Sequence, residues 1–169
     1  MIKVSLIHYI IFSCRRFHNL LIQFYCYRTK TLKHNNGFTD FPSAWFTDDT
    51  INILMSQNGC VTTQDTIFSF RSSELNISNQ WGNTEDCKKK ILATISFYSW
   101  MKTFLSKYDI EPLYDIVSEE WRNKIYSNIQ NYIYHCPFTF LLNNICRIPN
   151  DISLSKVRIL AHWINTKIK

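Results

Sequence analysis

The sequence predicts a single α+β domain in which helices outnumber strands. Three observations point there. Apolar residues recur at helical spacing over 85–107 and again over 153–169. The stretch 62–77 alternates and is rich in β-branched residues, as strands are. The whole chain, 169 residues, is the size of one domain. Hydrophobic residues make up 46% and charged residues 19%, enough to bury a core and too apolar for a disordered chain.

Taken in order, residues 1–26 are apolar and aromatic and fit helix or strand equally well. The stretch 29–42 is polar and reads as a linker with a turn at Asn35-Asn36-Gly37. A short helix is expected from Thr47 or Asp48, either of which can cap it, and Asp48 and Asp49 suit the positive end of its dipole. Ile51, Leu54 and Met55 share one face, and Asn58-Gly59 stops it. Two short strands then fit Thr66-Ile67-Phe68-Ser69-Phe70 and Glu74-Leu75-Asn76-Ile77, joined by Arg71-Ser72-Ser73. A loop over 79–84 leads to a long helix, with Ile91, Ile95, Tyr98, Met101 and Leu105 on its apolar face. Pro112 breaks the chain. The stretch 121–131 is open between helix and strand. Pro137 begins a further element, helix by preference, through about residue 148, since proline is tolerated in a first turn. The last helix carries Val157, Leu160, Ala161, Ile164 and Ile168 on one stripe.

The formal net charge of +6 is concentrated at one end. Residues 1–39 contain Lys3, Arg15, Arg16, Arg28, Lys30 and Lys33 and no acid, whereas 40–169 is balanced. This divides the chain into a basic, apolar arm (1–30), fit for targeting or for no fixed structure, and a domain (31–169). The arm's charges are too few and too mixed with apolar residues to favour nucleic acid. The apolar run from Val4 to Cys14 is interrupted by His8 and Ser13 and falls short of the ~20 residues of a membrane span. Six cysteines, at 14, 26, 60, 87, 136 and 146, contain no Cys-x-x-Cys pair and match no zinc spacing, so neither metal nor cofactor is expected. A reduced compartment is the default for a chain of this length, and five of the six read as small buried hydrophobes. The expected location is nuclear or cytoplasmic, ahead of mitochondrial or secreted.

Cys136 stands apart. A thiol nucleophile needs a base, a group to orient that base, and donors for the developing oxyanion, and a helix start lowers its pKa. Cys136 lies just before Pro137 at an expected helix start, and the Gln130 amide six residues upstream is a candidate oxyanion donor. The segment Trp45-Phe46-Thr47-Asp48-Asp49-Thr50-Ile51-Asn52 resembles the Trp-Leu-x-Asp-x-x-Ile-Asn opening motif of the ubiquitin-like protease family, the SUMO-type cysteine peptidases. Gln130-Asn131-Tyr132-Ile133-Tyr134-His135-Cys136-Pro137 resembles that family's Gln-x-Asn-x-x-Asp-Cys-Gly, and the likeness runs over about residues 31–168. It implies a truncated or degenerate papain-like cysteine protease fold. It implies Cys136 as nucleophile, Gln130 in the oxyanion hole, Trp45 and Asp48 in the substrate-binding region, and a ubiquitin-like protein or its conjugates as partner. Two triad positions depart from the pattern: Thr62 falls where the family has His, and Asn79 where it has Asp. A family segment is also missing around Gly59. His135 and Pro137 replace the family's Asp and Gly, and His162-Trp163, the sole His-Trp pair, lies after the cysteine. Losing the base of a triad costs ~10⁴-fold or more in rate.

Two alternatives stand beside a peptidase that processes or deconjugates ubiquitin-like modifiers. One is a non-catalytic binding module on the same scaffold. The other is an all-helical interaction protein, since Leu92-Ala93-Thr94-Ile95-Ser96-Phe97 resembles a helix of the viral Bcl-2-like regulators.

Overall fold

The computed structural model describes residues 2–4, 26–62, 82–107, 114–148 and 156–168. In chain order these form β1 (Ile2–Val4), α1 (Thr29–His34), a 3₁₀ turn (Pro42–Ala44), α2 (Thr47–Met55), β2 (Cys60–Thr62) and α3 (Thr84–Lys107). They continue as α4 (Tyr114–Ile133), α5 (Phe138–Asn144), a second 3₁₀ turn (Ile145–Arg147) and α6 (Lys156–Ile168). Helix α1 spans the expected boundary between arm and domain at residue 30. The strand pair expected over 62–77 lies, apart from Thr62, outside the described residues.

The architecture is all-α, which corrects the α+β, papain-like expectation. Among the described residues, strand is confined to one antiparallel pair of three residues each, with Ile2 opposite Thr62 and Val4 opposite Cys60. The stretch 121–131, open between helix and strand in the sequence, lies inside the 20-residue α4. Trp121, Ile125, Ile129 and Ile133 recur every fourth residue, and all four are buried. That spacing makes one continuous stripe only on a helix, and the stripe overrides the β preference of the isoleucines. The two longest described helices, α3 and α4, pack on each other.

Helix α3 is the centre of the core. Asn83 starts it, its side-chain oxygen accepting from the backbone N–H groups of Glu85 (3.0 Å) and Asp86 (3.3 Å). Phe97, fully buried on α3, is the hub of an aromatic cluster. It stacks on Phe46 with centroids 4.4 Å apart and planes 3° from parallel. Phe41 meets it edge-on at 6.1 Å, and Trp121 of α4 lies at 4.9 Å.

Helix α2 starts where expected, yet neither Thr47 nor Asp48 caps it. Phe46 holds the cap position in the left-handed region at φ 71°. The Thr47 hydroxyl instead donates to the Thr39 carbonyl (2.9 Å), and the Asp48 carboxylate accepts from the Asp49 N–H (3.0 Å). Ser43 (φ 55°) and Ala44 (φ 53°) are also left-handed, so the chain turns sharply into α2 through three non-glycine residues with positive φ.

Helix α6 departs from its expected packing. Of the expected stripe, Val157, Ala161, Ile164 and Ile168 face outward, with Val157 73%, Ile164 45% and Ile168 78% exposed, while Leu160 is half-buried. The helix packs through its other side, by the buried Ile159 and by Trp163. Two cysteines also differ from expectation: Cys26 and Cys146 are exposed, while Cys87 and Cys136 are buried.

Candidate functional site

Helix α4 ends in a turn in which the Cys136 N–H donates to the Ile133 carbonyl (3.1 Å), and Pro137 then caps the seven-residue α5. The turn is held from both sides. The Thr84 hydroxyl, at the start of α3, donates to the His135 carbonyl (3.2 Å). The Trp163 indole, on α6, donates to the Cys136 carbonyl (2.9 Å). The Cys136 side chain points inward, 1% exposed, and its thiol donates to the Tyr132 carbonyl at 3.6 Å. Burial pushes its pKa up to about 12; the nearby Cys87 thiol adds to the rise, and Lys88 opposes it. Burial likewise raises the pKa of Cys87. A buried thiol shifted in this direction stays protonated at neutral pH and is a poor nucleophile.

The other residues singled out by sequence are spread over several surroundings. Gln130 donates its side-chain amide to the Tyr126 hydroxyl (2.7 Å), one turn back along α4 and away from Cys136. Trp45 does reach the Cys136 end of α4: its ring meets Tyr132 edge-on at 5.8 Å, and its indole N–H donates to Asn128 Oδ1 (3.4 Å). Tyr132 thus touches Trp45 through its ring and the Cys136 thiol through its carbonyl. Asp48 sits at the start of α2 with the Asp49 N–H as partner. Thr62 lies on β2, paired with Ile2. Asn79 lies outside the described residues. The His135 ring rests against Tyr134 with centroids 4.0 Å apart, and His162 is half-buried on α6.

Two charged groups escaped the sequence reading. Lys90 belongs to Lys88-Lys89-Lys90, a run that resembles a solvated helix start, yet it is 1% exposed. Its ammonium pairs with Asp86 Oδ2 at 2.7 Å and lies 4.8 Å from the Trp45 ring centroid and 5.0 Å from that of Tyr132. The spacing of Cys87, Lys90, Ile91, Thr94 and Phe97, all on the buried face of α3, is the signal that could have found it. The second is Lys124, which pairs at 3.3 Å with Asp49, a residue the sequence placed only at the start of α2, and both side chains are largely buried. Lys124 in turn lies 4.8 Å from the Trp121 ring and 5.1 Å from Phe46.

Burial raises the Asp49 pKa to about 6 against the opposing pull of Lys124. An unfolded Asp titrates near ~3.9, so between about pH 4 and pH 6 the folded state binds the proton more tightly. Asp49 therefore stabilises the fold most below that window, and the contribution is lost as pH rises through it. A shift of about two units sets an upper limit of ~3 kcal/mol. The expected result is that the stability of the wild type relative to Asp49→Asn declines from about pH 4 to about pH 7, read as urea midpoints at each pH. A constant difference, or one that grows with pH, would contradict this ionisation scheme.

Among the described residues no group of three or more His, Cys, Asp and Glu side chains could hold a metal ion. No described helix is long and apolar enough to cross a membrane. Among the described residues, fold and site together define an all-α architecture in which Cys136, the thiol that the sequence singled out, is a core residue. No family model, curated protein or solved structure matches this chain.

Proposed function

We propose that this chain is a non-catalytic helical module that acts by binding a protein partner. The observation that carries the reading is the state of Cys136. Its thiol is buried, donates to the Tyr132 carbonyl and resists ionisation, and its own carbonyl is taken by Trp163. A ubiquitin-like-protein peptidase would need the reverse: an exposed thiolate, a base beside it and a free Gln130 amide. Gln130 is engaged with Tyr126 instead. One observation favours a narrower form, a Bcl-2-like regulator. The segment Leu92–Phe97 that carries that resemblance lies in the middle of α3, the helix around which the aromatic core is built. Partners of such modules are amphipathic helices laid into an apolar groove.

The test uses the full chain, shown to be folded by circular dichroism. It is incubated with ubiquitin-like proteins bearing a C-terminal electrophile, then titrated calorimetrically with those proteins in unmodified form and with amphipathic helical peptides. The expected result is no adduct from wild type or Cys136→Ala, together with saturable binding of one ligand class by both. A Cys136-dependent adduct would overturn the proposal. So would an absence of binding to every ligand tried.

A further inference from the structure

Helix α6 has two apolar sides and only one is used. Ile159 is buried in the core and Trp163 is tied to the Cys136 carbonyl, so this side is committed to the fold. On the opposite side Val157, Ala161, Ile164 and Ile168 form an exposed apolar stripe. By the helical period, Lys156 and Lys167 lie along one flank of that stripe and Arg158 along the other. No Asp or Glu occurs after Asp151 in the sequence. Lys167 is exposed, with its ammonium 5.9 Å from the Trp163 ring centroid.

We infer that the outward face of α6 docks on an anionic lipid surface. An apolar stripe flanked by cations on both sides is the pattern of a helix lying in the plane of a bilayer interface, with apolar side chains among the acyl chains and cations among the headgroups. At 13 residues α6 is about 20 Å long, too short to cross a hydrocarbon core of ~30 Å. The inner side of α6 is held against the core, and a bilayer surface needs only the outward half, with the cations on both flanks meeting headgroups on either side of the apolar stripe. The inference is independent of the proposed binding of a protein partner: lipid docking does not involve Cys136, and electrophile labelling does not involve the α6 stripe.

The test is co-sedimentation of the full-length protein with vesicles of phosphatidylcholine alone or of phosphatidylcholine mixed with phosphatidylserine. Binding is expected to the mixed vesicles and to weaken steeply as salt is raised. Lys167→Gln should lower the affinity about fivefold, the effect of one cation near an anionic surface. The double change Ile164→Ser, Ile168→Ser should lower it tenfold or more, with an unchanged circular dichroism spectrum because both side chains are exposed. Equal binding to both vesicle types, binding to neither, or unaltered binding by the double variant would overturn the inference. Sedimentation velocity supplies one more arm: a dimer that Ile164→Ser dissociates would assign the stripe to a second copy of the chain and would also overturn it.

Discussion

Phe97→Ala should destabilise the fold by about 3–5 kcal/mol, the range for removing a fully buried phenylalanine. Phe97 is 0% exposed and joins three parts of the chain: the segment before α2 through Phe41 and Phe46, α4 through Trp121, and its own helix through Trp100 at 6.0 Å. Alanine leaves a cavity at that junction and removes every ring contact at once, each worth ~0.5–1.5 kcal/mol beyond its buried area. A domain stable by ~5–15 kcal/mol would lose much of its margin. Urea unfolding followed by circular dichroism measures the loss. Phe97→Leu keeps most of the volume and loses the stacking, so it should fall between wild type and alanine. An alanine variant within about 1 kcal/mol of wild type would show that the cluster is not the centre of the core.

Lys90→Met is the second large effect, about 3 kcal/mol of destabilisation. Its origin is charge rather than volume. Methionine fills similar space but leaves the Asp86 carboxylate, 11% exposed, without its cation. Breaking a buried pair from one side costs ~3–5 kcal/mol, and the low end applies because Asp86 lies in the first turn of α3, where the helix dipole favours an anion. Adding Asp86→Asn should recover most of the loss. A double-mutant cycle on urea midpoints tests this, and strict additivity of the two changes would show that the pair is not coupled.

Sequence period located helices well where one apolar face repeats over several turns. Helix α3 was expected over 85–107 and runs from Thr84 to Lys107, and α2 begins at Thr47 as expected. Period was less informative in α4, where isoleucines every fourth residue satisfy a helix while their β-branching argues for strand. It could not say which side of a two-sided helix the protein covers, so the outward stripe of α6 resembled a core face. The candidate site was legible only in part. Trp45 and Cys136 do share Tyr132 as a neighbour. The six-residue interval from Gln130 to Cys136 is here the end of a helix and the turn after it, which directs the amide along α4 and the thiol into the core. Lys90 was hidden because three consecutive lysines look alike in sequence, although they point in three directions around α3.

The bend into α2 bears on the order of folding. For an L-residue the left-handed conformation costs ~1–2 kcal/mol, and Ser43, Ala44 and Phe46 all adopt it. No local preference of 42–47 leads the chain there. The contacts that hold it are distant in sequence: Phe46 lies flat on Phe97, Phe41 stands edge-on to the same ring, and the Ser43 hydroxyl donates to Asp86 (3.3 Å). The bend is therefore expected to close after α3 has supplied that ring, with α2 forming late: whatever loosens the bend should quicken unfolding far more than it delays the first encounter of α3 with α4.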